Sequence, residues 1–365
     1  MIQVTEINNF RQFFQLRDIW NDVLDRCEDS NPFLTWEWLS TWWKHFGNNK
    51  KLLLLLAMEK DQIFGIAPLM YSVHTMFGLR RGKIEFIGTG DSDYNDFILA
   101  GRDEQCLSLF FNYLDHITEK WDCVDLIDVP ENSKTLLYLK KTAKTIKPLH
   151  KCPYAELPET PEKFLGSLKR KQRRELQRTS RRLEEDFLVE FADYSNSARL
   201  REEMINFFEL HQKRWKSRGY NGAFGNQAAR NFHLEIAQIF SQKGWLGLFL
   251  LKLSRVPAAA LYGFKYRSKY YAYLSGFDPR YFPYSVGSLL FSYSIAECIK
   301  QNLHFFDFMR GAEEYKDRWN TTPRWNKQIT LTKCNVIANI QHWVFNEYWH
   351  QGNRLRYFLK FILKK

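Results

Sequence analysis

Residues 270–319, YYAYLSGFDPRYFPYSVGSLLFSYSIAECIKQNLHFFDFMRGAEEYKDRW, hold the residue types that grip a phosphate and move a group. Tyr270 to Phe277 reads as a central aromatic strand, with Tyr271 and Tyr273 on one face. A loop with two prolines follows over 278–285. Val286-Gly287-Ser288 then opens a helix running from Leu289 to Lys300. Free N–H groups at a helix start, aided by the helix dipole, favour a phosphate. Gly287 lets such a group approach without a Cβ in the way. A Gly-Ser step alone is an ordinary helix cap. Its placement, directly after one strand and ahead of another at 304–309, is that of ligand sites in α/β sheets. Past that second strand come Arg310, Glu313, Tyr315, Lys316, Arg318 and Trp319. Lys316 and Arg318 are cations where substrates bind, and they read equally as a charged surface turn. Asp307 reads either as an acceptor for loop amides or as a group that orients a substrate amine.

These residues need elements to position them, and the chain repeats such elements. Residues 52–71 and 246–264 each read as a strand, a short polar turn (residues 59–62; Ser254-Arg255) and a second apolar strand. Each hairpin follows a Trp-bearing helical stretch, Trp36 to Phe46 and Phe207 to Trp215. Two copies of one α/β module account for this spacing of about 190 residues. The first copy runs over 1–155, with strands at 83–87, 96–100 and 123–128 and a helix at 106–118. The second runs over 161–335, after a proline-rich boundary at 152–161. A helical, basic tail occupies 336–365.

Composition bounds the rest. The 365 residues are ample for two domains, and 45% hydrophobic residues supply ordinary cores. Six cysteines form no C-x-x-C pair and have no histidine cluster beside them, so neither a zinc site nor a disulfide framework is expected. The N-terminal residues show no charged-then-apolar signal pattern. The longest aliphatic run, residues 52–58, is far short of the ~20 residues of a spanning helix. The expectation is a soluble, cytoplasmic protein. A net charge of +12 points to an anionic partner: a phosphorylated cofactor, a nucleic acid or a membrane surface.

A charged helix is expected over 162–186. Leu165, Leu168, Leu176 and Leu183 fall on one stripe, and Lys169, Arg170, Lys171, Arg173, Arg174, Arg178, Arg181 and Arg182 on the other faces. This is a solvated outer face or an anion clamp for cofactor phosphate or a nucleic acid backbone. The basic, apolar residues 354–365 suit either an interfacial helix or one packed on the domain.

The pattern Y-x-Y-L-S-G-F-D-P-x-Y, S-V-G-S-L-L and F-F-D-F-M-R-G-A-E-E-Y-K-D-R-W resembles the GNAT-fold acyltransferases of the CelD/BioF2-like group, related to the FemAB peptidyltransferases. Residues 164–183 and H-Q-K-R-W-K-S-R-G at 211–219 extend the likeness over about 161–320. It is looser across 1–155, carried by N-P-F-L-T-W-E-W at 31–38 and A-P-L at 67–69. The resemblance implies an α/β fold of two tandem GNAT-like domains, each a mixed twisted sheet flanked by helices. It implies acyl-CoA or acetyl-CoA, or an acyl carrier protein, as donor and no metal. Carrier-binding positions would be Tyr273, Ser275, Val286, Gly287, Ser288 and Leu289, although a second glycine of the fuller GNAT motif is absent. Lys316 matches the lysine of the Y/F-K-x-x-F/W motif and would stabilise negative charge. Asp307, Asp278 or Glu313 would accept the amine proton. Trp215, Tyr271, Arg310, Tyr315 and Trp319 would meet the substrate.

The activity implied is N-acyl transfer to a small-molecule or glycan amine, such as an amino sugar or cell-envelope polysaccharide precursor. One alternative is a FemAB-type transferase using aminoacyl-tRNA, which the basic helix suits. Another is a non-catalytic scaffold of polysaccharide biosynthesis, peripheral to the inner membrane face through residues 350–365.

Overall fold

The computed structural model describes residues 1–76, 79–117, 121–140 and 145–332. In chain order its helices are α1 (Phe10–Gln15), α2 (Arg17–Arg26), α3 (Trp36–Phe46), α4 (Asp103–His116), α5 (Lys134–Lys140), α6 (Pro161–Ser167), α7 (Arg170–Asp186), α8 (Leu200–Lys216), α9 (Gln227–Gln242) and α10 (Val286–Lys300). Its strands are β1 (Gln3–Ile7), β2 (Lys51–Glu59), β3 (Gln62–Met76), β4 (Leu79–Phe86), β5 (Ile98–Leu99), β6 (Cys123–Pro130), β7 (Thr145–Lys151), β8 (Tyr154–Glu156), β9 (Val189–Asp193), β10 (Leu246–Leu253), β11 (Val256–Tyr266), β12 (Lys269–Phe277), β13 (Phe305–Asp307) and β14 (Trp325–Thr332). The expected tail at 336–365 lies outside the described residues.

Two compact units result. Of the described residues, the first takes 1–30, 49–149 and 327–332; the second takes 31–48 and 150–326. The first sheet runs β1-β2-β3-β4-β6-β14-β7, with β5 on β3, and the second runs β9-β10-β11-β12-β13-β8. The internal repeat is visible in this order. In each unit three antiparallel pairings are followed by one parallel pairing, β4 with β6 and β12 with β13. Parallel neighbours need a crossover, and each crossover contains a helix, α4 in the first unit and α10 in the second.

The sequence pattern explains the hairpins. β10 is buried at every position, as a strand covered on both faces requires. Its turn to β11 has both Ser254 and Arg255 at positive φ, 48° and 70°, the backbone of a tight two-residue hairpin. α3 belongs to the second unit, where Trp38 packs edge-on against Phe232 at 5.0 Å and Phe33 at 4.9 Å.

Four elements differ from the sequence expectation. The helix over 162–186 is two helices. Leu168 and Lys169 adopt extended ψ angles of 151° and 137°, because Leu168 turns into the core while α7 starts afresh. The strand over 304–309 is only Phe305–Asp307, and Met309 at φ 60° bends the chain away. The strand over 96–100 shortens to Ile98–Leu99, since Asp96 turns its carboxylate back onto the Phe97 N–H. The loop after β12 contains a 3-10 turn, Pro279–Tyr284, started by Asp278, whose carboxylate accepts from the Arg280 N–H.

Candidate functional site

The parallel pair β12–β13 opens the site. Of β12, β13 pairs only with Lys269, Tyr270 and Tyr271. Beyond Asp307 the chain leaves β12: the Phe308 N–H donates to the Pro153 carbonyl and the Gly311 N–H to that of Lys151. Residues 272–277 of β12 therefore have no strand on that side, and a cleft lies at the carboxyl ends of a parallel pair, where α/β sheets bind ligands.

α10 starts at this cleft. Ser285 precedes it in the left-handed region, φ 47°, with no side-chain cap. The Ser288 and Leu289 N–H groups turn back to the Ser285 carbonyl, leaving the Val286 and Gly287 amides without a backbone acceptor. A Cβ added at Gly287 would have only Phe277 Cδ1 within 4 Å, at 3.8 Å, so the approach is open. The side chains of Val286 and Leu289 are each 1% exposed in the core, so only their main chains are available to a ligand. α7 holds α10 in place: Leu176, Thr179 and Leu183 form its buried stripe, and the Ser180 hydroxyl meets that of Tyr293 at 2.8 Å. A small cavity between them is lined by Gln172, Thr179, Ser285, Ser288 and Arg318, which brings the basic helix and the helix start together.

The remaining residues expected at the site are distributed unevenly. Tyr273 lies in a ring nest with Phe33, Trp38, His233, Tyr262 and Phe264. The Ser275 hydroxyl accepts from Arg214 at 2.7 Å, and the Ser275 carbonyl accepts from the same guanidinium at 3.2 Å. Tyr271 is 4% exposed and faces Asp307 in register. Trp319 is 2% exposed and packs near Phe291 and Phe308, a core residue rather than a substrate contact. Trp215 donates its indole N–H to His211 Nε2 at 2.9 Å. Tyr315 packs on Phe291 with ring centres 5.5 Å apart. Arg310 offers its carbonyl to Lys316.

The three carboxylates separate by environment. Asp278 accepts from Arg280 and pairs with Lys213 at 2.9 Å; these cations hold it well below the usual carboxylate range, so it anchors the turn and is a weak proton acceptor. Asp307 is paired with Arg324 at 2.5 Å and accepts the Met309 N–H at 2.8 Å. Glu313 is half-exposed, and its ion pair is to Lys316 at 2.9 Å.

Lys316 is placed differently from the role its motif implies. Its ammonium, on a side chain 4% exposed, donates to the carbonyls of Met309 (3.2 Å), Arg310 (2.9 Å) and Gly311 (3.4 Å) and pairs with Glu313. An ammonium has three protons. Four acceptors exhaust them, so Lys316 clamps the 309–313 loop and has no proton left for a developing oxyanion.

Three residues that shape the cleft went unassigned from sequence. Arg214 and His211 lie within the H-Q-K-R-W-K-S-R-G segment, which was the available signal. Gly276 is the third: a Cβ there would sit 2.3 Å from the His211 main-chain nitrogen, so only glycine lets β12 press against α8.

Residues 170–317 match the family model described as an acetyltransferase (GNAT) domain. The chain carries this GNAT acetyltransferase domain within its second unit. Its fold is shared with the crystal structure of FemX: TM-score 0.61, 12% identity, covering 89% of this chain and 96% of that one. It is shared also with L-PGS from Bacillus licheniformis, at TM-score 0.56 and 10% identity over 88% and 94% of the two chains. A third similar structure is a protein of unknown function from Bacteroides thetaiotaomicron, at TM-score 0.56 and 13% identity over 91% and 100%. No curated protein matches the chain in sequence. Among the described residues no helix is long and apolar enough to cross a membrane.

Proposed function

We propose that the protein transfers an acyl group from an acyl-CoA, or an acyl carrier protein, to an amine. The observation that carries this reading is the open edge of β12 beyond Tyr271, facing the uncapped start of α10 at Gly287. The carrier's phosphates would take the Val286 and Gly287 amides, and the thioester would lie along residues 272–277. The amine nitrogen attacks the thioester carbonyl, the C–S bond breaks, and the thiolate leaves with the carrier. Backbone N–H groups of the β12 edge meet the charge on the carbonyl oxygen. Of the three carboxylates, Glu313 is the one open to solvent, and it takes the amine's proton directly or through water. Lys316 positions the loop that carries Glu313. The GNAT domain model supports this reading. We extend it to an amino sugar or cell-envelope precursor as acceptor, and to action in the cytoplasm, by family resemblance.

Calorimetry with acetyl-CoA tests it. Binding in the micromolar range, about 8 kcal/mol, is expected. No heat from acetyl-CoA and none from an acyl carrier protein would remove the reading.

A second reading is favoured by α7. Lys169, Arg170, Lys171, Arg174, Arg178 and Arg181 are exposed on its outer face, a surface for the backbone of an aminoacyl-tRNA. Affinity for tRNA that falls steeply with salt would support it, and no binding at low salt would exclude it.

A further inference from the structure

At one end of the second sheet three large apolar side chains face water. Leu188, just ahead of β9, is 69% exposed; Val256, at the start of β11, 44%; and Phe282, in the turn after β12, 72%. The antiparallel order β9-β10-β11-β12 brings the start of β9, the β10–β11 turn and the end of β12 to the same end of the sheet. Contacts tie these segments together. The Ser254 N–H donates to the Leu188 carbonyl at 2.8 Å, and the Asp278 N–H donates to that of Ala258 at 2.8 Å. Phe187 packs edge-on against Tyr281 and Tyr284, with ring centres 5.8 and 5.3 Å apart.

The local backbone dictates the exposure. A 3-10 turn has three residues per turn, so Tyr281 and Tyr284 share a face, and Phe187 occupies it. Phe282 lies a third of a turn round and points outward. Pro279 and Pro283 stiffen this turn, and Asp278 caps it through the Arg280 N–H. Phe187 is extended, φ −144° and ψ 152°, and side chains alternate along an extended chain. Phe187 turns in, so Leu188 turns out. Single exposed apolar residues are ordinary, whereas a contiguous group marks an interaction surface.

Arginines surround the group. Arg182 lies over the Tyr284 ring at 4.8 Å and Arg280 over the Tyr281 ring at 5.7 Å. Arg255 is exposed on the β10–β11 turn. α7, which ends beside Phe187, carries seven cations against four acids. Three of those acids, Glu184, Glu185 and Asp186, fall on its last turn, and Asp186 accepts from the Tyr284 hydroxyl at 2.7 Å. Apolar tips, tyrosines behind them and guanidiniums around them follow the layering of a bilayer boundary, from acyl chains to phosphates.

We propose that this end of the second unit docks on an anionic lipid surface. Phe282 and Leu188 enter the boundary of the acyl chains, and Arg182 and Arg255 meet lipid phosphates. α10 begins directly after the same 3-10 turn, so a docked chain holds its candidate cleft beside the lipid. The inference does not depend on the acyl-transfer reading.

Cosedimentation of the full chain with vesicles tests it. Phosphatidylcholine vesicles with about one third phosphatidylglycerol should bind the native protein at least about tenfold better than phosphatidylcholine alone. Phe282→Ser combined with Leu188→Ser should lower that binding by about tenfold or more, with the thermal midpoint unmoved because both side chains are exposed. Arg182→Gln combined with Arg255→Gln should lower it by about fivefold per arginine. No binding by the native chain, equal binding to both lipids, or full binding by the serine variant overturns the proposal. Binding kept by the serine variant and lost by the glutamine variant would mark a plain polyanion surface, such as a nucleic acid uses, and overturns it too. So does native self-association that the serine variant abolishes, which would give the patch to a second copy of the chain.

Phe282→Trp keeps the proposal testable if the serine variant fails to fold. It should bind like the native protein and add fluorescence that lipids brominated on their acyl chains quench. A Phe282→Trp protein that cosediments without this added quenching overturns insertion at Phe282.

Discussion

The Lys316 ammonium donates to the main-chain carbonyl of Arg310 at 2.9 Å, and this bond centres a clamp that also takes in Met309, Gly311 and Glu313. A loop whose backbone needs positive φ at Met309 (60°) and Gly311 (129°) would otherwise leave three carbonyls converging without a donor. Lys316→Met should therefore lower stability by about 1–3 kcal/mol and slow transfer by tenfold or more, since Glu313 loses its position. Lys316→Arg should not restore activity, because a planar fork cannot reach carbonyls grouped around a point charge. Full activity in Lys316→Met would dispose of the clamp as a functional device.

Gly287 gives the cleanest probe of the carrier site. Its Cβ direction is open, so Gly287→Val should fold normally. A bulky side chain at the amides should weaken acetyl-CoA binding by at least about tenfold, or about 1.4 kcal/mol. Unchanged affinity by calorimetry would place the carrier elsewhere.

Gly276 should be intolerant for a different reason. An added methyl would meet main-chain atoms of His211 and Leu210 at 2.3–2.6 Å, and backbone cannot swing aside. Gly276→Ala should reduce stability by about 3 kcal/mol, or prevent accumulation of folded protein. A denaturation midpoint within error of the native value would contradict this packing.

The two buried histidines of the second unit predict an acid limit. Burial pushes His211 down to about 4 and His233 down to about 3. Unfolded histidine binds a proton near pH 6.5, so the unfolded chain gains protons that the folded one refuses. Stability from the neutral rings is complete above pH 6.5 and is lost as pH falls from 6.5 toward 3. His233→Phe, placed among Trp38, Phe224 and Phe232, should flatten that loss by an amount on the order of a few kcal/mol. Urea midpoints at pH 7.5 and pH 5 would show it; an unaltered difference between the two would rule it out.

Lys252 pairs with Glu203 at 2.7 Å, and Glu203 is 0% exposed. Lys252→Met should cost about 3–5 kcal/mol by stranding that carboxylate, while the double change with Glu203→Met should recover most of it. Additive losses in the cycle would mean that the two groups do not act as a pair.

The sequence by itself settled what depends on near neighbours. Alternating and continuous apolar runs placed both hairpins, and the second turn fell on Ser254-Arg255 because two residues at positive φ suffice to reverse a strand. The Trp-rich run gave α3 its limits, with Thr35 as cap. The strand, glycine and helix order around Gly287 was equally plain. Tertiary structure decided whatever depends on groups far apart in the chain. No local pattern shows that Leu168 interrupts the basic helix by entering the core, or that α3 joins the second unit and packs there on α9, some 190 residues away in the chain. None shows that the protons of Lys316 are already taken by carbonyls. Arg214 is a further case: an arginine in a helix gives no sign of its partner, and only the packed second unit brings its guanidinium to the Ser275 hydroxyl and carbonyl, 61 residues away.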